Sequence, residues 1–287
     1  MSTSFTPVDL VGRFSARELS YLWLAIENEK SILFVGSEPS GTTEISDALT
    51  MFIPETSSID SLNSSNLSES AFSLSVEKEL AYGDESLETT LPVSDGLDQA
   101  LTKNSLGYLL YGELKQGDAR HLFESLPNGP TAFCEVDMSY TTPTVSNAIT
   151  HLTRSELYIK RESIPNIDIV CVQDNRYNQP HNYEIRELIE YRDDGVISTH
   201  PAFVRKPNKN EWHEAIGESF VLNEIQNSMS CNHQDIENEL AKREKLLSYL
   251  SKNNITSPGK VALAREEYRA APMQVVQAVE QDSLTLQ

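Results

Sequence analysis

Positive charge is scarce in this sequence. Lysine and arginine together number 23 against 43 aspartates and glutamates, a net charge of -20 over 287 residues. The acids are spread along the chain, so its surface repels nucleic acid and anionic lipid at ordinary salt, and no nucleic-acid partner is expected. Two readings fit. One is an anionic cytosolic protein; the other is adaptation to a salty cytoplasm, where screening makes self-repulsion small. The scarcity of lysine points to the second. Cysteine is also scarce: Cys134, Cys171 and Cys231 lie far apart without a CxxC spacing. That excludes a disulfide framework and argues for a reducing compartment. Cys134 and Cys171 sit in apolar, strand-like runs and read as core. No run of about 18 apolar residues is present, and no charged segment followed by a hydrophobic one opens the chain. The expectation is a cytoplasmic protein that does not span a membrane. The six histidines (His121, His151, His181, His200, His213, His233) form no pair with metal-ligand spacing and read as surface or core residues.

One charge is missing from a definite place. Residues 34–43, Phe-Val-Gly-Ser-Glu-Pro-Ser-Gly-Thr-Thr, have the frame of a phosphate-binding P-loop. The pattern is Gly, four residues, Gly, Lys, then Ser or Thr. Gly36, Gly41 and Thr43 fit, and Thr42 stands where the lysine belongs. The candidate nucleotide-binding set is Gly36, Ser37, Glu38, Pro39, Ser40, Gly41, Thr42 and Thr43. The apolar run Ile32 to Val35 precedes it as a strand, and a helical face of Ile45, Ala48, Leu49 and Phe52 follows. Backbone N–H groups of such a loop form a nest for phosphate oxygens, backed by a helix N-terminus. Thr43 can offer its hydroxyl to Mg²⁺. Losing the lysine costs about 1.5–3 kcal/mol in charge-assisted binding, roughly ten- to a hundredfold in affinity. Hydrolysis loses more, because the lysine also stabilises charge on the transferred phosphoryl group. Glu38 adds a negative charge beside the nest. ATP and Mg²⁺ binding is therefore expected to be weakened or lost. The structural alternative is a strand–turn–helix corner kept for packing.

The chain divides into an N-terminal linker and helix (1–30), a core (31–205) and a helical C-terminal region (206–287). Ser15 reads as the N-cap of a helix from Ala16 to Asn28. Residues 55–95 are rich in Ser, Glu, Asp and Asn and read as a long polar excursion, partly disordered. A short helix is expected over Leu97–Lys103, strands over Tyr108–Tyr111, Thr131–Val136 and Ile167–Gln173, and helices over Asp118–Leu126 and from Pro143 to about Arg154. This alternation predicts an α/β fold with a mainly parallel sheet buried on both faces. Tyr183–Arg192 and Val196–Val204, joined by Asp194-Gly195, read as a β-hairpin. Helices over about 216–228, 233–252 and 258–280 finish the chain. Ile236, Leu240, Leu247 and Leu250 form a stripe on the second, and Ser257-Pro258 opens the third. The charged side of the second reads as a solvated face.

The run Phe14-Ser15 to Asn28, then Ser31 to Gly36 and Ala48 to Pro54, resembles one family, the archaeal branch of the type II/type IV secretion ATPases. These power pili, the archaellum and related assemblies. Leu110-Tyr111-Gly112-Glu113-Leu114-Lys115 is similar to the family's atypical Walker B, Ile167 to Gln173 to its late core strand, and Phe220 to Ile225 to the first of its C-terminal helices. The resemblance spans roughly residues 5 to 280 and implies a RecA-like P-loop NTPase core with a hairpin and a helical C-terminal appendage. The family's N-terminal domain has no counterpart here, which reads as an N-terminal truncation.

The departures bear on activity. The family has Gly-Lys-Thr where this chain has Gly41-Thr42-Thr43. Of an acidic box, only Ile59-Asp60 survives. Lys103 and Ser105 stand near the family's arginines. Cys134-Glu135-Val136-Asp137 replaces a Ser-Thr-Leu-His-like box, and Asp137 would repel the phosphate that a histidine senses. Glu113 stands where the family would orient an attacking water, and equally reads as a solvated carboxylate at a strand end. Asp60 is the weaker acidic candidate. The resemblance implies a non-hydrolysing or weakly active subunit, cytoplasmic or peripheral at the inner face of the membrane. Its partners would be a membrane platform protein and either identical copies in a hexamer or an active paralogue in a hetero-oligomer. The rival readings are an active ATPase with a divergent P-loop and a truncated copy with no assembly role.

Overall fold

The first helix is set by its own ends. Ser15 Oγ accepts from the Glu18 N–H at 3.1 Å, and the Ser15 N–H donates to Glu18 Oε2 at 2.7 Å. This reciprocal pair satisfies two donors that a helix start leaves open. Helix α1 (Ala16–Glu27) buries every residue from Glu18 to Ile26, as a helix covered on all sides does.

The computed structural model describes residues 5–37, 41–61, 107–114, 118–154, 157–174, 181–206 and 211–286. After α1 come β1 (Ile32–Gly36), α2 (Thr42–Thr50), β2 (Ile59–Ser61), β3 (Tyr108–Glu113), α3 (Asp118–Ser125), β4 (Thr131–Asp137), α4 (Val145–Arg154) and β5 (Ile169–Asp174). Then follow β6 (His181–Tyr191), β7 (Ile197–Lys206), β8 (Glu211–Glu214), α5 (Phe220–Met229), α6 (His233–Lys252), α7 (Pro258–Ala270) and α8 (Pro272–Glu280). The strands form one mixed sheet in the order β2-β3-β4-β1-β5-β6-β7-β8. The first five in that order run parallel, and β6, β7 and β8 extend them antiparallel.

Strand β1 shows why both faces are covered. Ile32 and Phe34 join one apolar cluster with α1, α2 and the C-terminal helices, while Leu33 and Val35 join a second with α3 and α4. The period of two along a strand assigns alternate residues to opposite faces. The chain leaves β1 toward β2 in one direction, and β4 passes β1 to reach β5 in the other. Right-handed crossovers then place α2 and α4 on opposite faces. The carboxyl ends of β1 and β4 thus form a topological switch point, the place where open α/β sheets hold ligands.

Several boundaries differ from the sequence expectation. Helix α4 starts at Val145 rather than Pro143, because the Thr144 hydroxyl caps it by accepting from the Asn147 N–H at 3.1 Å. The helix expected over 258–280 is two helices, broken at Ala271 (φ -148°, ψ 68°) because Pro272 cannot continue the hydrogen-bond ladder. The polar stretch 55–95 contributes an edge strand, β2, pairing with β3. Strand β8 was not anticipated. The helix expected over Leu97–Lys103 lies outside the described residues. At the β2–β3 joint the Tyr108 N–H donates to the Ser58 carbonyl at 2.8 Å, and a Cβ on Gly107 would sit 2.1 Å from Ser58 Oγ. The backbones meet there with no room for a side chain.

A buried carboxylate ties the layers together. Glu187 on β6 is fully buried. Its Oε1 accepts from Tyr21 Oη of α1 at 2.7 Å and from Ser219 Oγ, and its Oε2 accepts from the Phe220 N–H at 2.7 Å. It thereby holds α1 and caps α5, whose positive end favours an anion. Removing the acceptor leaves buried donors unpaired, at about 1–3 kcal/mol each before relaxation. Glu187→Ala is therefore expected to cost at least about 3 kcal/mol in urea unfolding. A loss under about 1 kcal/mol, the size of an ordinary surface change, would contradict this role.

Candidate functional site

Strand β1 ends at Gly36, and α2 begins at Thr42. Gly41 adopts a left-handed conformation (φ 73°, ψ 35°) at the start of that helix, where glycine carries no Cβ penalty. Space is short as well, since a Cβ there would lie 2.9 Å from Arg13 Nη1. The Met138 N–H donates to the Gly36 carbonyl at 2.6 Å, locking β4 to the loop's first glycine. Gly36 and Ser37 lie at the end of β1, and Gly41, Thr42 and Thr43 at the start of α2. Glu38, Pro39 and Ser40 lie outside the described residues.

The side chains around this corner are acidic. Glu135 is only 7% exposed on β4, on the same strand face as Phe133 and so toward α2. Its Oε2 accepts from Thr43 Oγ1 at 2.7 Å. Burial raises its pKa, hydrogen bonds from Thr43 and Thr42 pull it back, and the charge of Glu113 raises it further. Glu113 is brought there by a bulge. Gly112 takes a φ of 70°, the β3–β4 register slips between Leu110 and Gly112, and Glu113 lands opposite Glu135. Like charges facing each other across a ladder repel. On α2, Asp47 is pushed up to about 7 by burial first, then by Glu135 and Glu44. The cation at this corner is Arg13, from the segment before α1, with Nη1 3.5 Å from Glu44 Oε2 and the guanidinium carbon 5.4 Å from the Phe5 ring centroid.

The described side chains at this corner are mostly acidic. The Thr43 hydroxyl, the group a P-loop gives to Mg²⁺, donates its proton into the buried Glu135 carboxylate and keeps its oxygen lone pairs. Carboxyls of Glu44, Asp47, Glu113 and Glu135 gather where a triphosphate would bring more negative charge. With Thr42 in the lysine's place, the described side chains offer a triphosphate less positive than negative charge.

Other expected residues are dispersed. Asp60 lies on β2, separated from β1 by β3 and β4. Asp137 is exposed and accepts from the Ser139 N–H and Oγ at 3.0 and 2.6 Å, a closed local turn. Cys134 and Cys171 are buried as expected. Among the described residues no group of histidine, cysteine, aspartate or glutamate could hold a metal ion, and no helix is long and apolar enough to cross a membrane. Sequence reasoning missed Asp47 and Arg13 and did not assign Glu135 to the loop. The available signal was an acid inside the apolar run Phe133-Cys134-Glu135-Val136.

The raised Asp47 value fixes a sign. A carboxyl whose pKa is higher in the folded than in the unfolded state, where it is about 3.9, binds protons more tightly when folded. Stability then falls as pH rises from about 4 to about 7. Asp47→Asn is expected to raise the Tm at pH 8 and leave it nearly unchanged at pH 4, by thermal unfolding at fixed salt. An equal effect at both pH values would contradict the shift.

No protein-family model matches the sequence. An uncharacterised protein of Methanocaldococcus jannaschii is 28% identical over 261 residues, covering 86% of this chain and 92% of that one. Among solved structures, the VirB11 ATPase from the Brucella suis type IV secretion system aligns with a TM-score of 0.44 at 17% identity over 64% of this chain. The Legionella pneumophila ATPase DotB aligns with a TM-score of 0.36 at 13% identity over 90% of this chain. The chain spans 57% of the Brucella protein and 62% of the Legionella protein.

Proposed function

We propose that this chain is a degenerate homologue of the type II/type IV secretion ATPases, with a RecA-like P-loop core, that serves as a subunit without ATP hydrolysis. Its place is a secretion or pilus assembly at the inner face of a membrane, beside a platform protein and either its own copies or an active paralogue. The observation that carries the reading is the acidic cluster beside the loop, where Glu135 accepts from Thr43 at 2.7 Å and faces Glu113 across the ladder. It sets negative charge beside a loop that also lacks its lysine. Support for the ancestry comes from the motif segments in order, the placing of Gly36 at the end of β1 and Gly41 at the start of α2, and the topological switch at the carboxyl ends of β1 and β4. A missing lysine and gathered carboxylates at one corner, with the architecture kept, favour assembly over catalysis.

Calorimetric titration with Mg-ATP and a phosphate-release assay, both in high salt, test this. The expected outcome is no release above the blank; robust turnover by the isolated protein would overturn the proposal. Thr42→Lys alone is expected to recover little ATP binding, because the Glu135 carboxylate still sets negative charge beside the loop. Thr42→Lys with Glu135→Gln is expected to bind about tenfold tighter than Thr42→Lys alone, the effect of one charge-assisted contact. Equal affinities would remove Glu135 from the account.

A second reading has one observation in its favour. Arg13 Nη1 lies within 2.9 Å of where a Gly41 Cβ would be, so its guanidinium could replace the loop lysine in an active, divergent ATPase. That reading requires Arg13→Gln and Glu113→Gln each to abolish turnover.

A further inference from the structure

On the face opposite α2, a cleft of about 420 Å³ lies between the first two turns of α4 and the β6–β7 ribbon. Its volume is in the range of small-ligand sites. Two arginines line it from different elements. Arg186 rises from β6, and Arg161 comes from the 3₁₀ turn Arg161–Asn166 before β5. In a chain of net charge -20 such a convergence needs a cause. Each guanidinium is held in position with donors to spare. Arg186 gives Nε and Nη2 to one oxygen of Glu184, at 2.6 and 2.5 Å, and Nη1 to Thr199 Oγ1 at 2.9 Å. Arg161 gives Nη1 to the Gly195 carbonyl at 2.9 Å. A guanidinium carries five N–H groups, so both retain donors. Glu184 offsets one positive charge, and the lining retains the other.

The rest of the wall is consistent with an oxyanion bearing an organic group. Thr144, Ser146, Thr150 and Thr199 supply hydroxyls, and Val145, Ile149 and Ile197 supply an apolar side. The opening turn of α4 adds the positive end of a ten-residue helix. We propose that this cleft binds a phosphomonoester. Its phosphate lies between Arg161 and Arg186, and its organic part lies against Ile149 and Ile197. Arginine suits such a group because its planar fork matches phosphate oxygens two at a time. The site is independent of the loop at Gly41, on the other face of the sheet, and does not rest on the function proposed above.

The test is a titration of the full-length, isotope-labelled protein with phenyl phosphate and with inorganic phosphate, followed by backbone amide shifts. Saturable shifts are expected at Ser146, Asn147 and Thr199, with phenyl phosphate the tighter ligand. Arg161→Gln is expected to weaken binding about tenfold, as loss of a charged donor does. Arg186→Gln leaves the buried Glu184 unpaired and can unfold the chain, so a second variant carries the test. Ser146→Asp places a negative charge in the first turn of α4, which favours the helix and repels the ligand. It is expected to keep the Tm and abolish the shifts. Undiminished binding by Ser146→Asp or Arg161→Gln overturns the proposal. So does absence of shifts, or shifts confined to residues 41–44; the latter would instead contradict the impaired loop.

Discussion

The structure depends on what becomes of carboxylates removed from water. A buried carboxylate is costly unless donors surround it, and Glu187 is surrounded. It draws one hydroxyl from α1, one from the turn before α5, and a backbone N–H from α5 itself. Three elements, α1, β6 and α5, must be in place before all of those donors are satisfied. The same solution recurs with the sign reversed around Arg243 of α6. Its guanidinium lies 4.7 Å from the Trp23 ring centroid and pairs with Glu27 at 2.6 Å and Glu239 at 3.1 Å. Tyr268 Oη of α7 donates to that same Glu239 at 2.8 Å. These paired charges join α1 to the C-terminal helices, so those helices complete the core on that face.

Glu135 is the contrasting case. Among the described residues it receives hydrogen bonds from hydroxyls, faces Glu113 across the ladder, and sits under a helix that bears Asp47. Burial and the charge of Glu113 raise its pKa, and the threonine hydrogen bonds only partly oppose them.

Much of the fold was legible because burial has a period. The buried run Ile32–Val35, the capping pair Ser15 and Glu18, and the stripe Ile236, Leu240, Leu247 and Leu250 each state locally what the structure does. The glycine at 41 was legible for a different reason, since a left-handed residue before a helix calls for glycine. What escaped was set by distant residues. Strand β2 is three residues long and exists because β3 offers it an edge. The break at Ala271 was locally visible in Pro272, yet the segment 258–280 reads as one helix. The partnership of Arg13 with the loop joins positions 31 residues apart, Arg13 and Glu44, and nothing in either segment announces it. Glu113 faces Glu135 only because of a bulge at Gly112, and a one-residue slip of register has no periodic signature.

The tight joint between Ser58 and Gly107 has a consequence for how the gene can vary. The chain from 62 to 106 departs from β2 and returns to its immediate neighbour β3, with the two backbones in contact at its base. The separation of its ends is thus fixed by the sheet and not by its length. Loop closure between two fixed points depends only weakly on length, about 0.6 kcal/mol per doubling. A change in the number of residues between 61 and 107 that spares Ser58 and Gly107 leaves the anchors of the sheet's register where they are.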